Sequence, residues 1–142
     1  MDLLMICRDA LENSVMANLL LAMEAKQAGK ESGVLFTQEA LAALGGGACA
    51  WSRLLSDRDT RMTVAKKAKE KGLPVLSSRD SRETDPRPLL KAAKDAGVGL
   101  YACPTWLDLL DLKGKLPPEV KEIDLPSSLK LISEAKRVIG SY

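Results

Sequence analysis

Apolar residues along this chain fall into two recurrent patterns. Leu3 to Cys7 (LLMIC) is unbroken and does not alternate, as in a strand covered on both faces. Met16, Leu19, Leu20 and Met23 then recur at i, i+3, i+4 and i+7, which predicts a helix, with Asn13 and Ser14 offering capping oxygens and Gly29 placed to end it. Residues 32–36 (SGVLF) repeat the buried-strand pattern, and Thr37 can cap a short helix through Leu44.

The pattern breaks at LGGGACAWSRLLSDRDT. Three consecutive glycines are costly to order in a helix or strand, so residues 45 to about 60 are expected to form a mobile excursion, with Trp51 to Leu55 a candidate short helix inside it. Helical spacing resumes over 61–71 and ends at Gly72. LPVL (73–76) reads as a short extended piece before the polar loop SSRDSRETD. Asp85 before Pro86 is a cap and first-turn pair for a helix through Ala96, closed by Gly97, and Val98 to Cys103 is a third buried strand. A helix over Thr105–Leu112, a loop, an extended VKEIDL, a helix over Pro126–Ala135 and an edge strand in KRVIGSY complete the chain. Alternating strands and helices with short connections predict a single-domain, three-layer α/β sandwich on a mainly parallel sheet of about five strands, of the flavodoxin/Rossmann-like kind.

Composition narrows the functional classes. With 142 residues, 46% hydrophobic and 28% charged, one domain spanning 1–142 can bury a real core without disulfides or metal. Twenty-one basic and nineteen acidic residues are interspersed, as in AKKAKEKG (65–72), which reads as a solvated helix face, and no nucleic-acid partner is expected. Asp2 stands where a signal peptide would be basic, and no apolar run reaches the roughly twenty residues of a membrane span. A cytoplasmic protein without a membrane partner is the expectation. Three cysteines without export signals then imply free thiols. The absence of histidine excludes Ser/His/Asp and Cys/His catalysis and removes the commonest metal ligand; with no CxxC spacing, no metal is expected.

In a sheet of this kind, ligands and chemistry gather at the carboxyl ends of the strands. That edge should carry Cys7, Arg8 and Asp9, then Thr37 and Gln38, then Cys103, Pro104 and Thr105. Proline suits the first position of a helix, which makes Cys103 the natural N-cap residue, with Thr105 as the alternative. Either choice leaves the Cys103 sulfur near the positive end of the helix, a setting that favours thiolate, although a small apolar residue finishing a buried strand is an equally open reading. Cys7 is expected to pack in the core, Arg8 to be surface or to lend charge to a thiolate, and Cys49 to be an incidental exposed thiol. Asp9 and Glu12 after the first strand, with no glycine there, would repel a phosphate. Trp51 and Trp106 read as packing anchors, Trp106 also standing where it can wall a pocket beside Cys103.

These residues resemble the DsrE/DsrF-like proteins, small α/β domains of sulfur-relay and sulfur-oxidation systems. The likeness runs through LLMICRDALENSVMANLLLAMEAKQAG, the strand GVLF, and AGVGLYACPTWLDLLDL, where an apolar strand ends in a cysteine followed directly by a helix. CRDALEN departs from the glycine- or proline-bearing turn common after the first strand in the family, and Gly45 to Arg87 matches none of its patterns. The resemblance implies a sulfurtransferase or sulfur carrier in which Cys103 holds sulfane sulfur as a persulfide, with sulfur donor and acceptor proteins as partners and a homo-oligomer, trimer or hexamer, as the assembly; Arg8 and Thr105 stand where they can assist the thiolate, and the exchange needs no cofactor. Two alternatives remain: a dithiol redox protein pairing Cys7 with Cys103, and a non-catalytic scaffold subunit.

Overall fold

Five parallel strands form one sheet in the order β6-β5-β2-β1-β7, with β1 Leu3–Cys7, β2 Ser32–Phe36, β5 Gly99–Ala102, β6 Lys121–Glu122 and β7 Arg137–Gly140. This computed structural model describes residues 1–74 and 83–140, the Glu83 side chain excepted. Residues 75–82, which include half of the expected LPVL piece and most of the polar loop after it, and the terminal 141–142 lie outside the described residues. β1 and β2 have the predicted bounds, and β7 lies at the predicted edge.

The helices are α1 Glu12–Gln27, α2 Gln38–Gly46, α3 Arg58–Glu70, α4 Arg87–Asp95, α5 Pro104–Leu109 and α6 Leu125–Glu134. Met5 and Cys7 of β1, Val34 and Phe36 of β2, and Leu100 and Ala102 of β5 project into one core with Val15, Leu19 and Ala22 of α1 and Leu89, Leu90 and Ala93 of α4. Fully burying a side chain the size of Phe36 contributes about 1.5–3 kcal/mol, so this layer dominates the stability. Alternate strand residues, among them Leu4 and Leu35, turn to the opposite face. The β6-to-β7 connection runs back across the sheet, and a right-handed crossover places α6 over that second face, giving the three-layer α/β sandwich.

Three local expectations are corrected. α1 begins at Glu12 with Leu11 as its cap residue, so Asn13 and Ser14 lie inside the helix and cap nothing. Gly45 and Gly46 are helical, and only Gly47 takes the left-handed conformation, with φ 83°. At Gly45 a Cβ would meet the Leu112 side chain, with Cδ2 at 2.6 Å, so a larger residue there would have to displace Leu112. Residues 48–57 are likewise no loose excursion. Cys49–Ala50 is a strand, β3, pairing antiparallel with β4 (Glu83–Thr84), while the candidate Trp51–Leu55 helix is an irregular turn, and α3 starts early because Asp57 accepts bonds from the amides of Asp59 and Thr60.

Candidate functional site at the carboxyl edge of the sheet

β1, β2 and β5 are neighbours and parallel, so their carboxyl ends make one edge. The ladder continues past the strands: the Thr37 amide donates to the Cys7 carbonyl at 3.0 Å, and the Cys103 amide donates to the Phe36 carbonyl at 2.9 Å. The Ala40 amide donates to the Arg8 carbonyl at 2.8 Å, seating α2 on the same edge. Cys7, Arg8, Thr37, Cys103, Pro104 and Thr105 therefore gather where the sequence placed them. Gln38, immediately after Thr37, has φ 52°, a left-handed conformation unusual for a side-chain-bearing residue.

Cys103 is the cap residue of α5 and is half-buried, with φ −64° and ψ 120°, its carbonyl accepting from the Leu107 amide at 2.9 Å. Its sulfur makes no capping bond to the first-turn amides. Pro104 removes one of those donors, and a helix of six residues carries only a small dipole, so the electrostatic support expected from the helix start is weaker than the sequence suggested. Thr37 occupies the cap position of α2 as expected, but its hydroxyl forms no capping bond and the residue is buried. Thr105 and Arg8 are exposed, and Trp106 is half-buried against the core. Beside α5 a groove of about 430 Å³ is lined by Pro104, Leu107, Asp108 and Lys113 together with residues 122–124.

The other two thiols are closed off. Cys7 is 1% exposed, and burial, reinforced by the Asp9 charge, pushes its thiol up to about 12. Cys49 is also 1% exposed, which corrects its expected place on the surface. Burial again raises its thiol to about 12, with the charges of Glu12, Cys7 and Asp85 adding to the effect. Pairing Cys7 with Cys103 meets a geometric obstacle: β2 lies between their strands. Two interstrand spacings put the Cα atoms roughly 10 Å apart, beyond the ~7 Å that a disulfide spans.

The sequence reading missed Glu12 as a buried group. It is 0% exposed; the Thr84 hydroxyl donates to Oε2, and Oε1 has no partner among the described residues. Burial holds the carboxyl above its ordinary range, the Thr84 bond works against that shift, and the Asp85 charge adds to it. The signal was present in the spacing, since Glu12 is in helical phase with Val15, Leu19 and Ala22, all fully buried.

No family model matches the chain, and no curated protein does either.

Proposed function

We propose that the protein is a sulfur carrier of the DsrE/DsrF-like type, with Cys103 as the acceptor. One observation carries this reading: of the three free thiols only Cys103 is accessible, and it stands at the carboxyl edge of a parallel sheet, where such folds place their chemistry. In the transfer, the Cys103 thiolate attacks the outer sulfur of a donor persulfide. An S–S bond forms at Cys103, the donor's S–S bond breaks, and the donor thiolate leaves with the electron pair. No cofactor takes part. The groove along α5 offers donor and acceptor proteins a mixed surface of Asp108, Lys113, Glu122 and Asp124.

The proposed setting is the cytoplasm; no helix among the described residues is long and apolar enough to cross a membrane. A homo-oligomer is part of the same reading, supported by an apolar stripe left uncovered on α6.

Mass spectrometry after incubation with a small persulfide donor tests the assignment. The expected result is a gain of one sulfur on the peptide carrying Cys103 and its loss in Cys103→Ser, with the far-UV spectrum unchanged. Sulfur retained at full yield by that variant would overturn the assignment.

A further inference from the structure

We propose that Cys49 is a second thiol reaction site, closed by the β3–β4 ribbon and opened by loss of the proton on Glu12, and that it takes small sulfur electrophiles such as disulfides. The ribbon has two residue pairs, Cys49 opposite Thr84 and Ala50 opposite Glu83. Directly opposed residues of an antiparallel pair share a face, so Cys49 lies beside Thr84, whose hydroxyl is bonded to Glu12. Besides the packing of Cys49 and the adjoining Trp51 in the core, the ribbon is tied by the Ala50 amide to the Ala10 carbonyl at 3.1 Å and by the bridge between Leu11 and Ala50. Gly47, in the left-handed conformation with nothing within 4 Å of its Cβ position, gives a pivot two residues before Cys49.

Glu12 is the group on which closure turns. Its carboxyl is fully buried, with one oxygen bonded to Thr84 and the other without a partner among the described residues, so ionisation would place a poorly compensated charge beneath the ribbon. Among the described residues, the titratable groups bearing on it are Asp85, at the turn into α4, and Cys49 of β3, which is itself coupled to Cys7 of β1. Asp85 and Cys49 are negative when ionised, and the Arg87 cation is held on Asp85 at 2.6 Å, so among the described residues only the Thr84 hydroxyl supports a Glu12 carboxylate. The folded carboxyl binds its proton more tightly than the exposed one. Closure is therefore at full strength below the ordinary carboxyl value of 4.5 and is lost as pH rises toward the raised folded value. Once the ribbon lifts, the Cys49 thiolate attacks one sulfur of the disulfide. A new S–S bond forms at Cys49, the reagent's S–S bond breaks and its second thiolate departs, and the Cys49 proton passes to water.

The experiment follows labelling of each cysteine by dithiodipyridine with peptide mass mapping from about pH 5 to 8.5, in the wild type, Glu12→Gln and Thr84→Val. Cys103 is the internal reference, and the inference does not depend on its proposed role. The ratio of Cys49 labelling rates, wild type over Glu12→Gln, is expected to rise with pH by up to about tenfold per unit, because Gln carries no proton to lose. Thr84→Val is expected to speed Cys49 labelling about five- to tenfold at every pH, for one buried hydrogen bond lost, with Cys103 unchanged. A flat ratio, a Thr84→Val variant with unaltered Cys49, or Cys49 labelling no faster than global unfolding in denaturant titration would each overturn the inference.

Discussion

At the scale of single residues, burial sorts groups that look alike in the sequence. Ser32 and Ser127 are both serines beside an element's start, yet only Ser32 is buried, its hydroxyl donating to the Ala22 carbonyl at 2.7 Å between β2 and α1. Ser32→Ala removes a bond that solvent cannot replace, and is expected to lower the unfolding free energy by about 1–2 kcal/mol in urea titration with an unchanged slope. The same sorting explains which part of the candidate site was legible. Cys103 could be located because a strand, a proline and helical spacing converge on it within seven residues. Glu12 could not, because a carboxylate before a helix is ordinarily read as surface charge, and its hydroxyl partner Thr84 is 72 positions away. Cys49 was misplaced for a related reason: its burial depends on the β3–β4 pairing, to which no local pattern points.

Elements of regular length were read correctly wherever local pattern and tertiary environment agree, as in β1, β2 and the strand entering Cys103. The glycine run is where they part. Helix propensity argues against Gly45 and Gly46, but α2 extends through both and ends at Gly47. Two substitutions separate propensity from packing. At Gly46 a Cβ would meet nothing within 4 Å, so Gly46→Ala is expected to stabilise the fold by about 0.5–1 kcal/mol through the helix and the unfolded chain. At Gly45 the new methyl would press on Leu112, and overpacking of about 1–3 kcal/mol outweighs the same helical gain, so Gly45→Ala is expected to destabilise. Thermal melts of the two variants should move in opposite directions. A common upward shift would mean that Leu112 yields freely and that α2 carries its glycines for no packing reason.

For the whole molecule, the two faces of the sheet are covered unequally. α1 and α4 bury one face in a continuous core, whereas α6, which crosses the other, buries only Ser128 of its ten residues. Leu125, Leu129 and Ile132 of α6 recur at i, i+4 and i+7 and are 54%, 59% and 37% exposed, and Val138 on the edge strand β7 is 43% exposed. An apolar stripe of this kind is unfavourable in water, and β7 ends the sheet with no further strand paired to it among the described residues. The homo-oligomer of the proposed function uses this face. Replacing Leu129 and Ile132 together by lysine alters exposed positions, where substitutions ordinarily change stability by no more than about 0.5 kcal/mol, yet it sets two charges into the shared surface. Sedimentation velocity should show the wild type heavier than one chain and the double variant at the mass of one chain, both with the same far-UV spectrum. A wild type that sediments as a single chain, or a double variant that keeps the wild-type mass, would remove α6 from the assembly. Persulfide loading of the double variant carries the argument one step further: Cys103 lies at the carboxyl edge of the sheet, while Leu129 and Ile132 lie on α6 over its second face. Loading that survives in the single chain makes the sulfur acceptor complete within one protomer, and loading that fails makes the assembly part of the site.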